Sequence, residues 1–137
     1  MIRLGYRGYT QGGLALDDGY VTNIETALEA EMPVGVYFYT QAVSYDEGVE
    51  EAQYVLQNIA GYKISYPVVI DTEKMEAEGA RANDISNEER TDAIVGFCET
   101  IKNAGYTPMI YANRNWYAQN LDMDRLGDYQ LWLAQYS

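Results

Sequence analysis

Two carboxylates close the segment YPVVIDTE, residues 66–73, where three consecutive β-branched residues read as a buried strand. Alternate residues of a strand share a face. Asp71 and Glu73 therefore point the same way, roughly 6–7 Å apart at Cα by strand rise. Like charges at that spacing repel, so one of the two holds its proton more tightly. That is either an accident of the surface or an acid–base pair. A protonated carboxyl beside an ionised one can give a proton at one atom and hold charge at another, which is general acid–base work.

Composition narrows the alternatives. The 137 residues suit one domain with its own core, and 47% are hydrophobic. Nine Lys and Arg stand against 21 Asp and Glu, a net charge of −12. Such a surface is a poor partner for nucleic acid or an anionic membrane. No apolar run approaches the ~20 residues of a membrane span, and MIRLGYRGYT lacks the apolar region of a signal peptide. The lone Cys98 excludes an internal disulfide. The absence of histidine excludes Ser-His and Cys-His nucleophiles and histidine zinc sites. Two carboxylates alone are too few to hold a metal, so no metal and no cofactor is expected. Carboxylates, amides, arginine and 14 tyrosines remain for chemistry.

The elements that must position the pair alternate. Strands are predicted at 2–9, 34–41, 67–73, 108–113 and 131–136. Helices are predicted at 18–31 and 46–61, then from a Ser86–Glu89 capping box through Ile101, with a short helix near 114–121. Pro33, Pro67 and Pro108 each precede or open a strand, where a missing donor does least harm. The loop 74–85 is long and polar. Cys98 lies on the apolar stripe of its helix and reads as core. This alternation implies a parallel sheet with helices outside.

Alternation along each strand sorts the side chains. Ile2, Leu4, Val34, Val36, Phe38, Val68, Ile70, Ile110, Ala112, Leu131 and Leu133 are expected against the helices. The opposite set is Arg3, Gly5 and Arg7; Gly35, Tyr37, Tyr39 and Gln41; Val69, Asp71 and Glu73; Met109, Tyr111 and Asn113; Trp132, Ala134 and Tyr136. Its polar members crowd toward the C-terminal strand ends, where parallel α/β barrels place their sites. Tyr37 and Tyr111 also suit a plain interior filling. Two carboxylates do not.

The segments IRLGYRGY, PVGVYFYTQAV, YPVVIDTE, FCETIKNAGYTPMIYAN and LWLAQYS, in that order, resemble the bacterial and phage-type lysozymes of glycoside hydrolase family 25. The resemblance spans nearly the whole chain. It implies an α/β fold, an incomplete (β/α) barrel of the TIM type, with residues 1–137 as a single catalytic domain. It implies cleavage of the β-1,4 bond between N-acetylmuramic acid and N-acetylglucosamine in peptidoglycan, with Glu73 as general acid and Asp71 as stabilising carboxylate; on those roles, repulsion and partial burial are expected to raise Glu73 and leave Asp71 ionised, held by neighbours such as Tyr37 or Tyr111. Arg3, Tyr37, Tyr39, Gln41, Tyr111, Asn113, Trp132 and Tyr136 become candidate substrate contacts, and the parent enzyme is expected at the cell wall or outside the cell. Thr72 replaces the aromatic that many members carry between the carboxylates; it faces away and is expected to matter little. The family's first strand would precede residue 1 and its closing strands would follow Ser137. Arg3's strand then becomes an open edge, and self-association through open edges is expected. The competing reading is a non-catalytic, glycan-binding or self-associating remnant of such an enzyme.

Overall fold

The computed structural model describes residues 1–134. Tyr136 lies outside them. The elements run β1 (Ile2–Arg7), β2 (Leu14–Leu16), α1 (Tyr20–Glu29), β3 (Val36–Tyr39), α2 (Tyr45–Ile59), β4 (Val68–Asp71), α3 (Asn87–Asn103), β5 (Pro108–Asn113), α4 (Arg114–Asn120) and β6 (Gln130–Ala134), with a 3-10 turn at Met123–Arg125. The strands form one sheet in the order β2-β1-β3-β4-β5-β6. All neighbouring pairs are parallel except β1 with β2. The expected alternation of strand and helix is present, with β2 added to it.

β2 corrects the expectation of an open edge at Arg3's strand. It pairs antiparallel with Gly5–Arg7, so β2 and β6 are the sheet edges among the described residues. The pairing is close: a Cβ on Gly5 would lie 2.2 Å from the Ala15 carbonyl oxygen, so only glycine fits. A three-residue strand leaves too short an alternation to be read from sequence.

A second correction lies within β1. Its register against β3 shifts, with Arg3 opposite Tyr37, Gly5 opposite Phe38 and Tyr6 opposite Tyr39. One extra residue on one strand is a β-bulge, and beyond it every side chain changes face. Arg7 therefore does not join the inner set. It is buried at 3% exposure on the helix side, donating from Nε to Glu51 Oε2 at 2.8 Å and from Nη2 to Glu50 Oε1 at 2.6 Å. Burial pushes the fully buried Glu51 up to about 7 despite this guanidinium. Tyr6, beyond the bulge, turns toward the inner face with Tyr39.

Between sheet and helices the core follows the expected aliphatic set. Val36, Phe38, Val68, Ile70, Ile110 and Ala112 are fully buried against Val55, Ile59, Phe97 and Ile101. Cys98 is fully buried there too, and burial raises its thiol far above the ordinary range. Leu131 departs from the expectation: it stands on the edge strand at 44% exposure. The capping box is present, Ser86 Oγ accepting from the Glu89 amide at 3.0 Å and Glu89 Oε1 from the Ser86 amide at 3.1 Å. Helices α2 and α3 touch backbone to backbone. A Cβ on Gly48 would lie 1.9 Å from the Ala93 oxygen, and one on Gly96 would lie 2.5 Å from the Tyr45 oxygen. Among the described residues no helix is long and apolar enough to cross a membrane.

Candidate active site

β4 is the central carrier of the site. Its four residues are all buried, and register places Asp71 between Tyr39 on β3 and Tyr111 on β5. Backbone bonds hold the strand end: the Thr40 amide donates to the Asp71 oxygen and the Thr72 amide to the Tyr111 oxygen, both at 3.0 Å. The Asp71 side chain is only 8% exposed, and its Oδ1 has no hydrogen-bond partner among the described residues. Glu73 lies two residues on, past the strand, and is half-buried.

Both carboxylates line a groove of about 540 Å³ whose other walls include Arg3, Tyr6, Tyr9, Tyr37, Tyr39 and Met75; Arg7 also borders it, with its guanidinium paired to Glu50 and Glu51. A second cavity of about 350 Å³ adjoins it, lined by Met1, Tyr37, Val69, Asp71, Tyr111 and Trp132. Asp71 and Tyr37 line both, so the two cavities are neighbours that meet at Asp71. Tyr111 and Trp132 meet edge to face with centroids 4.8 Å apart. The structure thus brings Arg3, Tyr37, Tyr39, Tyr111 and Trp132 to Asp71 and Glu73.

Gln41 and Asn113 go elsewhere. Gln41 is buried at 1% exposure; its backbone oxygen accepts from Arg81 Nη1 at 3.0 Å and its Oε1 from the Ala82 amide at 3.4 Å. It lies behind the loop and lines neither cavity. Asn113 caps α4, its Oδ1 accepting from the Trp116 amide at 2.8 Å, and it borders a different, more open cavity. Tyr6 and Tyr9 are wall residues that strand alternation missed. An isolated glycine inside a strand, here Gly5, is the signal for a bulge that would have found Tyr6.

Electrostatics reverse the expected order of the pair. Burial, reinforced by the charge of Glu73 and opposed by Arg3, pushes Asp71 up to about 7. Burial also raises Glu73. Asp71 takes the larger push because it is deeper and its Oδ1 receives no donor. Tyr39 is raised as well, by burial first and then by Glu73 and Asp71. Arg3 stands 5.2 Å over the Tyr6 ring.

This has a consequence for stability. An aspartate ordinarily loses its proton near 3.8, whereas Asp71 in the folded chain keeps it to about 7. Between those values the folded state binds the extra proton, so stability falls as pH rises. The loss is absent below about pH 4, complete above about pH 7, and of the order of 4 kcal/mol at 1.4 kcal/mol per unit. Asp71→Asn is expected to stabilise the chain at pH 8 relative to pH 4.5, compared with the parent in urea titrations. An unchanged difference between the two proteins at both pH values would show that Asp71 is not held protonated.

Thr72 corrects the expectation that it matters little. It is 2% exposed, and its Oγ1 accepts from Trp116 Nε1 at 2.9 Å. The Arg90 guanidinium lies 4.7 Å over that indole ring. Arg90 also donates to the oxygens of Ala82 at 2.7 Å, Asn83 at 3.2 Å and Asn120 at 3.2 Å. The residue between the carboxylates is thus clamped to α4 and to the loop. Thr72→Val keeps the shape but strands a buried indole N–H, and is expected to cost about 1–3 kcal/mol. Thr72→Ser should cost much less; equal urea midpoints for the Val variant and the parent would show that Trp116 has another acceptor.

The 74–85 loop is fastened as well. Arg81 forks onto Glu47 at 2.8 and 3.0 Å, and its amide donates to the Tyr9 oxygen at 2.8 Å. Burial pulls Glu47 up, but the bonds from Arg81 and the Val43 amide, with the charges of Arg7 and Arg81, leave it below the usual range. Among the described residues no three Asp, Glu or Cys side chains gather as a metal site.

The profile described as glycosyl hydrolases family 25 matches residues 2–137. The chain belongs to glycosyl hydrolases family 25. Among curated relatives, the lysozyme of Streptococcus phage Cp-9 is 29% identical over 117 residues, which cover 82% of this chain and 32% of the relative. The D-alanyl-L-alanine endopeptidase of Streptococcus phage B30 is 29% identical over 109 residues, 76% of this chain and 23% of the relative. Among solved structures, the modular autolysin LytC from Streptococcus pneumoniae superposes with a TM-score of 0.84 at 26% identity, over 98% of this chain and 31% of that one. LytC has also been solved with a synthetic peptidoglycan ligand. The chain therefore spans about a third or less of each of these relatives. Family 25 membership agrees with the mixed α/β fold, a parallel sheet flanked by helices.

Proposed function

We propose that this family 25 chain carries the cleavage centre of a peptidoglycan hydrolase, an N-acetylmuramidase acting on the β-1,4 bond between N-acetylmuramic acid and N-acetylglucosamine. The observation that carries the reading is the coupled Asp71–Glu73 pair at the C-terminal end of β4 within the aromatic groove. The names of the phage lysozyme and of the LytC complex with a peptidoglycan ligand support the substrate class.

Glu73, the more exposed carboxyl, is the general acid. It gives its proton to the glycosidic oxygen as the bond to the anomeric carbon breaks, and water adds to that carbon. Asp71 serves as the carboxylate beside the developing oxocarbenium charge. In the free chain Asp71 holds the first proton. Two effects of bound sugar reverse this. Covering Glu73 removes water from it and raises it further, and positive charge at the anomeric carbon favours ionised Asp71. Tyr37, Tyr39, Tyr111 and Trp132 offer flat apolar faces with polar tips, which suit the two sides of a pyranose. Arg3 supplies a cation to the groove, Arg7 being held by Glu50 and Glu51. The substrate lies in the cell wall, outside the cytoplasm.

Purified peptidoglycan incubated with the chain is expected to yield new reducing ends that are N-acetylmuramic acid. New ends that are N-acetylglucosamine would assign the other glycosidic bond. Binding with no new ends would make the chain a glycan-binding remnant.

A further inference from the structure

Past Glu73 the chain forms a ridge between two concavities. Glu73 and Met75 line the tyrosine groove, whereas Lys74 and Glu76 line an open cavity of about 890 Å³ on the other side. Its far wall is built from α4 and β6 and carries Arg114, Asn115 and Gln119. The chain has only nine cationic residues against 21 acidic ones, yet two of the nine, Lys74 and Arg114, meet here. Both are exposed. Among the described residues neither has a carboxylate oxygen within 4.0 Å. The cavity thus offers two unpaired cations, one carboxylate and the carboxamides of Asn115 and Gln119.

We propose that this cavity is a binding site for the peptide stem of peptidoglycan, so that the chain reads glycan in one groove and peptide in the other. The proposal rests on the muramidase reading of the Asp71–Glu73 groove. A muramic acid residue cleaved there carries its peptide through the lactyl ether on the same ring, so the stem starts at the groove that this ridge borders. A stem of the sequence L-Ala-D-isoGlu-L-Lys-D-Ala-D-Ala has two free carboxylates and one ammonium group. That charge pattern is the complement of Lys74, Arg114 and Glu76. Arginine and lysine bind carboxylates through charge-assisted hydrogen bonds, and side-chain carboxamides pair with peptide N–H and C=O groups.

The test uses the disaccharide N-acetylglucosaminyl-N-acetylmuramic acid with its lactyl carboxyl either capped as the amide or joined to this pentapeptide, and the N-acetylated pentapeptide alone. Neither sugar contains the bond that the proposed cleavage breaks, so neither is consumed during titration calorimetry. The peptide-bearing disaccharide is expected to bind roughly 2- to 30-fold more tightly, the worth of two exposed ion pairs. The free pentapeptide should bind weakly, and its binding should fade with added salt. The double variant Lys74→Gln/Arg114→Gln should erase both effects while leaving the bare disaccharide's affinity unchanged; both side chains are exposed, so folding is not at risk. Equal affinity for the two disaccharides, or a preference that survives in the double variant, overturns the peptide site and leaves the muramidase reading intact. Failure of both sugars to bind overturns the two together.

Discussion

Glu73→Gln is expected to lower the release of reducing ends from peptidoglycan by at least about 10²-fold, within the 10²–10⁴ range that general acid catalysis supplies. Glutamine matches glutamate in shape, so the groove, its tyrosines and the affinity for cleaved disaccharide should be unchanged. What disappears is the proton for the departing oxygen. A second reading of the same variant is independent of turnover. Removing the Glu73 charge deletes one of the causes that hold Asp71 up, burial being the first. Asp71 should therefore titrate lower in the variant, which carboxyl NMR can follow. Asp71→Asn should be comparably severe for turnover, since the neutral amide cannot stabilise positive charge. Reducing ends released by Glu73→Gln at the parental rate would remove the pair from the chemistry and leave family 25 membership as an inherited fold.

Gly48→Ala should be the most damaging single methyl in the scaffold. In an ordinary helix interior the change from glycine to alanine stabilises by roughly 1 kcal/mol. Here the added carbon would sit 1.9 Å from the Ala93 carbonyl oxygen, and 2.8 Å from the carbonyl carbon. Those atoms are backbone, so relief requires α2 and α3 to separate along their whole contact. Overpacking costs typically 1–3 kcal/mol, occasionally more. A rigid backbone neighbour puts this case at about 3 kcal/mol or above, a large share of the 5–15 kcal/mol that holds a domain folded. The urea midpoint should fall accordingly. A midpoint equal to the parent's or higher would mean that the helices part at no cost.

The sheet and its helices were readable because each is written in many residues. The apolar stripe of α3, the capping box at Ser86 and the prolines before β3 and β4 and opening β5 all depend on local pattern, which one sequence displays. The carboxylates were readable for the opposite reason: a buried strand that ends in two acids breaks its own pattern. What escaped depends on single contacts between distant segments. The bulge in β1 shows only against β3. Thr72 looked idle because its partner, the Trp116 indole, is 44 positions away. The protonation order of Asp71 and Glu73 turned on depth and on a missing donor, neither of which spacing encodes. Gln41 and Asn113 had the right parity but lie at strand ends, where capping and loop packing compete with the groove for the same amide groups.

The bulge between Arg3 and Gly5 acts on β1 as a shifted reading frame. Upstream of it odd positions face the groove, and downstream even ones do. Anyone diversifying the groove wall should vary positions 3 and 6 and leave 7 fixed. A library built on uninterrupted alternation would instead randomise Arg7, scattering variants that break the Glu50–Glu51 pairing while leaving Tyr6 untouched. One deleted residue at the bulge would be harsher still, since it would turn a buried guanidinium into the groove and a tyrosine into the helix layer at a stroke.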